Sequence, residues 1–383
     1  MIYFLFREGV SSNTNVTNAE SLALSSSVVT TNSSSVRQNK TINFTGGDKY
    51  TGQLNNQGLE DGQGVYWWSH GSRYEGAFKK GAKHGRGTYF FSNGDKYVGD
   101  WINNNQEGNG TLIWASGGQY EGGFRNGLRH NHGKCVSANG NTYDGEWKDG
   151  TRNGSGVMYY ADGAVYEGNW KDNERNGQGI LTWKSGDRYQ GHWEKDIRMG
   201  HGVYSWSNGS RYDGEWKDGC RHGHGVKHYA DGNTYDGYWE NDKRHGQGVL
   251  IFQNGDRYEG QWQNDVRTGH GIHYWTNGDK YVGAWKDNNI CGQGIKYTND
   301  GHRYKGNWAN NTYEGQGIFT WKSGERYEGE YKNGNRHGHG SYFWSNGNKH
   351  VGRWKDNKEH GAGVFTFANG TTKTGVWVDG NEN

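Results

Sequence analysis

The chain has 383 residues, of which 30% are hydrophobic and 15% aromatic, and its charges nearly cancel, with 43 basic against 41 acidic side chains. A chain this polar cannot fill several conventional cores, its 19 tryptophans and 26 tyrosines exclude general disorder, and its net charge of +2 gives no reason to expect a nucleic-acid partner. The 68 glycines and the lack of proline favour short strands joined by tight turns, because proline cannot donate to a sheet ladder.

The first 40 residues differ from the rest of the sequence. Serine, threonine and asparagine dominate between Ser11 and Asn39, which predicts a disordered tail over residues 1–40. The apolar run from Met1 to Phe6 is shorter than the core of a signal peptide and is followed by charged residues, so we expect no secretory signal.

Residues 41–380 are built from one repeat. The pattern Tyr-Glu/Asp-Gly-x-Trp leads the units; Tyr50 starts the first of them, and His350 and Lys373 keep the phase at the far end. Between these, the leading tyrosines follow one another at intervals of 23 residues, at Tyr74, Tyr97, Tyr120, Tyr143, Tyr166, Tyr189, Tyr212, Tyr235, Tyr258, Tyr281, Tyr304 and Tyr327. The sequence therefore predicts about 14 full units with half-unit caps at both ends.

The spacing within a unit is that of two β-strands. Positions are counted from the leading residue, so that in the unit led by Tyr258, Gly260 is at +2 and Trp262 at +4. Because side chains alternate across a strand, these three residues are expected to share one face. The second strand is expected to add to that face Gly269 (+11), Gly271 (+13) and Trp275 (+17).

Turn signals separate the strands. The polar stretch Gln263–Thr268 lies inside the unit and Asn277-Gly278 lies between units, which makes each unit a β-hairpin linked to the next. The glycines leave room for large rings to lie flat on the backbone. We therefore predict an all-β fold, an elongated, twisted, single-layer antiparallel sheet of about 14 stacked 23-residue hairpins, with aromatic rings on one face and charge pairs such as Arg257 with Glu259 on the other.

These units closely resemble the MORN (membrane occupation and recognition nexus) repeat, as in Tyr212–Gly219 (YDGEWKDG) followed by Arg221–Val226 (RHGHGV). The resemblance covers roughly residues 41–380. It implies an elongated single-layer sheet and a non-catalytic role, since the family includes membrane tethers, ciliary and cytoskeletal scaffolds, and accessory segments of enzymes. A cytoplasmic scaffold without a cofactor is therefore expected, associated with the cytoskeleton or a cilium, or peripheral at a membrane.

The aromatic stripe is the strongest candidate binding feature. Most of its rings are expected to form the core, but one layer cannot bury both sides of them, and a leftover apolar groove would suit an amphipathic helix. The rings expected to form this partner groove belong to the regular central units: Trp147, Tyr166, Trp170, Tyr189, Trp193, Tyr212, Trp216, Tyr235, Trp239, Tyr258 and Trp262.

The alternative is a peripheral membrane tether that binds anionic phospholipid. Basic residues recur at position +9, and if they line one edge they form a rim that could contact lipid head groups. Carboxylates such as Asp149, Asp172 and Asp218 in the same hairpins oppose this attraction, so the protein partner is preferred. The candidate rim consists of Arg152, Arg175, Arg198, Arg221, Arg244 and Arg267.

Other sites are not expected. Histidines recur at +10 and +12, but no cysteine or carboxylate accompanies them at a fixed spacing, so no metal site is predicted. The Gly-x-Gly pattern is followed by a strand, whereas a phosphate loop needs a helix. Cys135, Cys220 and Cys291 lie several units apart, too far for disulfides, which favours a reducing compartment. The sheet edges at the two ends would allow a homodimer.

Overall fold

The computed structural model describes residues 39–382. Within them the chain forms 31 strands and no helix, all in one open sheet. Each strand pairs antiparallel with the next in sequence, from β1 with β2 through to β30 with β31. This confirms the predicted all-β, single-layer array of 23-residue hairpins.

In every full unit a shorter strand with the leading aromatic residue precedes a longer, glycine-containing strand. The strands are β1 Asn39–Asn43, β2 Lys49–Leu54, β3 Glu60–Trp67, β4 Arg73–Lys79, β5 Ala82–Phe90, β6 Lys96–Ile102, β7 Asn105–Ile113, β8 Gly118–Arg125, β9 Leu128–Ser137, β10 Thr142–Lys148, β11 Thr151–Tyr159, β12 Val165–Lys171, β13 Glu174–Thr182, β14 Arg188–Glu194, β15 Ile197–Ser205, β16 Arg211–Lys217, β17 Cys220–His228, β18 Thr234–Glu240, β19 Lys243–Ile251, β20 Arg257–Gln263, β21 Val266–Tyr274, β22 Lys280–Lys286, β23 Asn289–Tyr297, β24 Arg303–Ala309, β25 Thr312–Thr320, β26 Arg326–Lys332, β27 Asn335–Phe343, β28 Lys349–Lys355, β29 Lys358–Thr366, β30 Thr372–Val378 and β31 Asn381–Glu382.

The first described strand begins two residues before the expected start of the array. The prediction of a disordered tail over residues 1–40 falls outside the described residues, except for Asn39 and Lys40. These two begin β1 and pair with Gln53 and Gly52 of β2. The first strand therefore includes the last two residues that composition alone placed in the tail.

Two kinds of turn join the strands. Within a unit, left-handed residues such as Asn241 (φ 49°) and Asp242 (φ 67°) form the two-residue hairpin turn, a conformation that Asn and Asp tolerate. Between units, the amide of Gly278 donates to the Trp275 carbonyl, and the amide of Trp275 donates to the carbonyl of Asp279. Gly278 has a φ of +91°, so the residue type predicted for this turn is the one that its backbone requires.

A bulge near the hairpin end corrects one expectation. Gly260 pairs with Gly271 and Trp262 with Arg267, so the second strand holds two more residues than the first between these pairs. Gly269 lies in this bulge with a φ of +61°, and a Cβ there would point at the Gln261 side chain on the opposite face. The prediction that Gly269 shares a face with Gly271 is therefore wrong.

The leading tyrosine of each unit lies over a pair of glycines. A Cβ on Gly225 would come within 2.4 Å of the Tyr212 hydroxyl oxygen, and a Cβ on Gly214 would come within 2.5 Å of the Gly225 Cα. The Tyr212 hydroxyl donates to the Glu215 carbonyl at 3.0 Å, and the ring is completely buried. Both glycines are therefore needed for the ring to lie on the sheet, as the sequence predicted.

The tryptophan at +4 links neighbouring units. The Nε1 of Trp216 donates to the Gly202 carbonyl of the preceding unit at 3.0 Å. Its ring meets Tyr212 edge-to-face at 5.4 Å and Tyr189 of the preceding unit at 5.3 Å. Such pairs stabilise by about 0.5–1.5 kcal/mol beyond the area they bury. Because the central units repeat these contacts, Tyr and Trp alternate in a continuous row along the sheet.

We expect Gly225→Ala to destabilise the array by about 2–3 kcal/mol, because the new methyl group overlaps the Tyr212 ring and must displace it. Gly46→Ala is the matched control, since nothing lies within 4 Å of its missing Cβ; a change within about 0.5 kcal/mol is expected there. Urea unfolding followed by tryptophan fluorescence measures both. Equal effects of the two substitutions would contradict the ring-on-glycine packing.

A second prediction concerns His350, which stands in the place of the leading tyrosine. It is 1% exposed, and neither of its ring nitrogens has a hydrogen-bond partner. We expect His350→Tyr to stabilise the array by about 1–2 kcal/mol, because the new hydroxyl can donate to the Arg353 carbonyl as Tyr327 does to Glu330. Tyr327→His, measured in the same unfolding assay, should destabilise; a loss of stability in His350→Tyr would refute the explanation.

Candidate functional site

The rings assigned to a partner groove lie inside the core of the sheet. All eleven are buried, with at most 5% of their surface exposed: Trp147, Tyr166, Trp170, Tyr189, Trp193, Tyr212, Trp216, Tyr235, Trp239, Tyr258 and Trp262. The tyrosines lie on glycine pairs, and the tryptophans are held between tyrosines of successive units. The structure brings these residues together in one row, as predicted, but the row is covered by other side chains of the same chain.

Arginines at +9 provide much of that cover. The guanidinium carbon of Arg244 lies 4.3 Å from the centre of the Trp262 ring in the next unit. The same side chain donates to the Asp265 carboxylate at 2.9 Å and to the Asp265 carbonyl at 3.1 Å. Stacking on an aromatic ring, a charge-assisted hydrogen bond and a carbonyl contact together hold the arginine over the core.

The whole set of candidate lipid-rim residues shares this arrangement. Each guanidinium stacks on the tryptophan of the next unit at 4.2 to 4.6 Å and donates to a backbone carbonyl 21 residues further on: Arg152, Arg175, Arg198, Arg221, Arg244 and Arg267. Burial lowers the pKa of Arg152, Arg198 and Arg267 below the ordinary arginine value. These arginines are thus part of the packed face, with their donors directed at protein groups.

An open groove lies on the opposite face. We call the groove face the surface formed by side chains at positions −1, +1, +3, +12, +14 and +16 of the units. Side chains at +1 and +14 form one row across the strands and those at +3 and +12 form another, while the glycines at +2 and +13 between them have no side chain. The result is a trough along the array with a floor of glycine backbone.

One stretch of the trough lies in the C-terminal units. Between β23 and β30 it encloses about 1010 Å³, with a floor that includes Gly317 and Gly340. Further stretches on the same face enclose about 670 Å³ between β1 and β6 and about 460 Å³ between β9 and β12. Sequence alternation correctly placed the charge pairs at −1 and +1 on the face opposite the aromatic rings, but gave no sign that this face, and not the aromatic one, is open.

The groove face combines apolar and charged side chains. Ile318, Val351 and Val364 line the C-terminal trough and are 38%, 41% and 37% exposed, which is high for large apolar residues. Ion pairs flank the groove, such as Arg211 with Asp213 at 2.7 Å. The predicted pairing of Arg257 with Glu259 is also present. Exposed pairs of this kind contribute only tenths of a kcal/mol to the free energy of unfolding, so their main effect is on which partners the groove attracts.

Histidines at +12 contact carboxylates at +1 on the same face. His201 lies 3.1 Å from Asp213, and His224 lies 3.1 Å from Asp236. Within residues 39–382, however, no group of three or more His, Cys, Asp or Glu residues is placed to hold a metal ion.

In the same part of the chain, no helix has the length and apolarity to cross a membrane. Cys135, Cys220 and Cys291 are free thiols.

Comparison with protein-family models gives one match. The model described as the MORN repeat matches fourteen consecutive segments, from residues 50–73 to residues 350–372. The boundaries follow the leading residues of the units described above. No match was found among curated proteins.

Solved structures that this chain matches include the TCP10 domain of Danio rerio CPAP, which is 10% identical, with 56% of this chain and 95% of that chain covered and a TM-score of 0.30. Another is the SAS-4 (dCPAP) TCP domain of Drosophila melanogaster, solved with a proline-rich motif of Ana2 (dSTIL), at 11% identity, 46% and 85% coverage and a TM-score of 0.25. A streptogramin B lyase gives 14% identity, 76% and 90% coverage and a TM-score of 0.13. TM-scores this low carry no argument about function.

Alkaline pH should unfold the array cooperatively. Burial raises the pKa of Tyr50, Tyr120 and Tyr258 to about 12, and it raises the pKa of the other leading tyrosines too. An unfolded tyrosine ionises near pH 10, so between about pH 10 and 12 the unfolded chain loses protons that the folded chain keeps. The stability contributed by these rings is therefore complete below about pH 10 and is lost as the pH rises, by up to about 1.4 kcal/mol per tyrosine per pH unit.

The measurement is a pH titration that records tyrosinate absorbance together with the circular dichroism of the sheet. We expect most of the tyrosinate signal to appear in the same step in which the sheet signal is lost. Complete ionisation of the tyrosines near pH 10 with the sheet intact would show that the leading rings are accessible to solvent.

Proposed function

The chain belongs to the MORN-repeat family, and we propose that it is a non-catalytic scaffold that binds an amphipathic helix of a protein partner. The groove face is the proposed binding surface. The observation that carries the proposal is the trough between β23 and β30, where Ile318, Val351 and Val364 are exposed beside a floor of glycine backbone. Exposed apolar surface arranged as a groove is typical of protein-binding sites.

A helix suits this groove better than an extended peptide. The strands beneath the trough pair with neighbours on both sides, so their N–H and C=O groups are used within the sheet. The backbone N–H and C=O groups of a partner laid across these strands must therefore form hydrogen bonds within the partner itself, as they do in a helix. Two strands per unit give a repeat of about 10 Å along the array, and seven residues of a helix span about 10.5 Å. Apolar residues that recur every seven positions in the helix would therefore meet successive units at equivalent places.

The alternative function, attachment to anionic phospholipid through the arginines at +9, receives less support. The six arginines stack on tryptophan rings and donate to carbonyl oxygens, as Arg221 does to Asp242 at 2.7 Å. Three of them also pair with carboxylates, and those side chains are only 16–20% exposed. To contact head groups they would have to leave these partners, which costs interactions that the membrane must replace.

A non-catalytic role agrees with how the polar groups are distributed. The His–Asp contacts at His201 and His224 are exposed and repeat with the period of the array instead of converging at one place. Catalysis needs several groups directed at one reacting atom in a site protected from water. As the family resemblance implies, we place the scaffold in the cytoplasm, at a cytoskeletal or ciliary assembly. Within residues 39–382 the outer edges of β1 and β31 pair with no further strand, and pairing between chains at these edges would give a homodimer.

The experiment uses displayed 35-residue helical peptides, each with leucine in a heptad pattern, selected for binding to the full chain. We expect the selected peptides to bind the double variant Ile318→Glu/Val351→Glu at least about tenfold more weakly, because two carboxylates then face the apolar side of the helix. Ile102→Glu is the control: this residue is 50% exposed but lies at a hairpin end in β6, far from the trough between β23 and β30, and binding should be unchanged.

Two outcomes would contradict the proposal. The first is selection of peptides whose binding the double variant does not alter, and the second is failure to select any helical binder. Co-sedimentation of the full chain with phosphoinositide-containing vesicles at physiological salt tests the alternative function. Strong, salt-sensitive sedimentation that Arg221→Gln/Arg244→Gln abolishes, with the fold retained, would favour membrane attachment.

A further inference from the structure

The groove face carries opposite net charges in two separate regions. Over β10–β19, six carboxylates and two arginines give a net charge of −4: Asp144, Glu146, Glu167, Asp213, Glu215 and Asp236, with Arg188 and Arg211. Over β22–β29, six cations and two carboxylates give +4: Lys280, Arg303, Lys305, Arg326, Lys349 and Arg353, with Glu328 and Glu330. We call these the acidic half and the basic half of the groove.

Strand register shows that these charges share one surface. In the acidic half, Arg211 pairs with Asp213 at 2.7 Å and His224 reaches Asp236 of the next unit at 3.1 Å, so positions −1, +1 and +12 lie together. In the basic half, Lys305 is the register partner of both Ile295 and Ile318, which stand in the row at +14. Both halves therefore lie on the groove face.

The opposite charges of the two halves arise from residue replacements at positions −1 and +1. In the acidic half, the cation usual at −1 is replaced by Thr142, Val165 and Thr234, while the carboxylate at +1 is kept. In the basic half the reverse occurs, since the +1 carboxylate gives way to Val282, Lys305 and Val351 while the −1 cation is kept. Where both residues are present, as with Arg211 and Asp213, their charges cancel within the unit. In the acidic half the cation is missing from such pairs, and in the basic half the carboxylate is missing.

The two halves act as separate electrostatic surfaces. Their centres lie five to six units apart, which is about 55 Å at the usual spacing of strands. The screening length at physiological ionic strength is only about 8 Å, so a bound segment meets each half independently. A helix with one sign of charge throughout would be attracted by one half and repelled by the other.

We propose that the helical partner is itself bipolar and binds in one direction, with its basic end over β10–β19 and its acidic end over β22–β29. This inference rests on the proposed function of the groove and adds the charge pattern and orientation of the partner. At 1.5 Å per residue, a helix must be about 37 residues long to join the centres of the two halves. Charge complementarity over that length would determine the orientation of the partner, raise its association rate and add to its affinity.

A second copy of the chain is the less suitable occupant. Two groove faces laid against each other antiparallel would match acidic to basic halves. Each face is a trough, however, and two troughs placed face to face leave the glycine floors of both uncovered. A single helix is convex and can fill one trough, so a helix suits the groove better than a second copy of the chain does.

The test compares two synthetic 42-residue helical peptides of identical composition and the same leucine heptad pattern. One has lysines in one half and glutamates in the other, and the second alternates the two residues along its length. We expect the block-charged peptide to bind the full chain about tenfold more tightly in fluorescence anisotropy at physiological salt. A photocrosslinker at its lysine end should label residues between 142 and 251, as located by mass spectrometry.

Charge reversal on the protein, instead of on the peptide, tests the same proposal. Arg303→Glu/Lys305→Glu/Arg353→Glu changes three exposed groove residues and should weaken the block-charged peptide about tenfold while strengthening an all-lysine peptide. The control, Lys286→Glu/Lys332→Glu/Lys355→Glu, makes the same change of charge in units of the same half, at exposed hairpin ends that do not line the trough, and should shift binding less than the groove reversal does.

The outcomes separate this inference from the proposed function. Equal binding of the two peptides, or crosslinks spread over both halves, would overturn the bipolar partner and leave helix binding in place. Binding of neither peptide would overturn both. A doubling of mass in sedimentation that the groove reversal abolishes, together with no peptide binding, would assign the groove to a second copy instead.

Discussion

The structure depends on one contact, a tyrosine ring lying flat on two glycines of paired strands. The ring of Tyr212 occupies the space that side chains on Gly214 and Gly225 would need, and its hydroxyl donates to the chain three residues further on. A single sheet has no second layer to bury rings, so the rings must be buried against backbone. Repeating this contact in successive units gives a polar, glycine-rich chain a continuous core.

Other side chains complete that core between units. Trp216 bridges its own tyrosine and the preceding one, and Arg198 stacks on Trp216 from the preceding unit. The contacts between units join residues 27 and 18 positions apart, so each unit is stabilised mainly by its neighbours. An array built in this way fits a nearest-neighbour description, in which terminal units are the weakest. His350, an imidazole with unpartnered nitrogens in the place of a tyrosine, stands in the last full unit.

The same glycines that accept the rings also create the groove. On one face their lack of side chains admits the tyrosines, and on the other it leaves a bare floor between two rows of side chains. The rings contact these glycines on one face, and the residues that border the trough lie on the other. Positions −1, +1, +3, +12 and +14 differ between units, and they carry the charge pattern and the exposed apolar residues of the groove, such as Ile318 and Val364.

The period, the hairpins, the single sheet and the burial of rings on glycine follow from the amino-acid pattern, because two-residue alternation and turn chemistry are local properties. The same pattern predicts the pairing of Arg257 with Glu259. Which face is open, in contrast, depends on the tertiary structure. Alternation shows which side chains share a face, but whether that face is filled depends on contacts between units, such as Arg244 lying over Trp262. The bulge that turns Gly269 to the other face arises in the same way, because it depends on how two strands pair and not on the spacing within one.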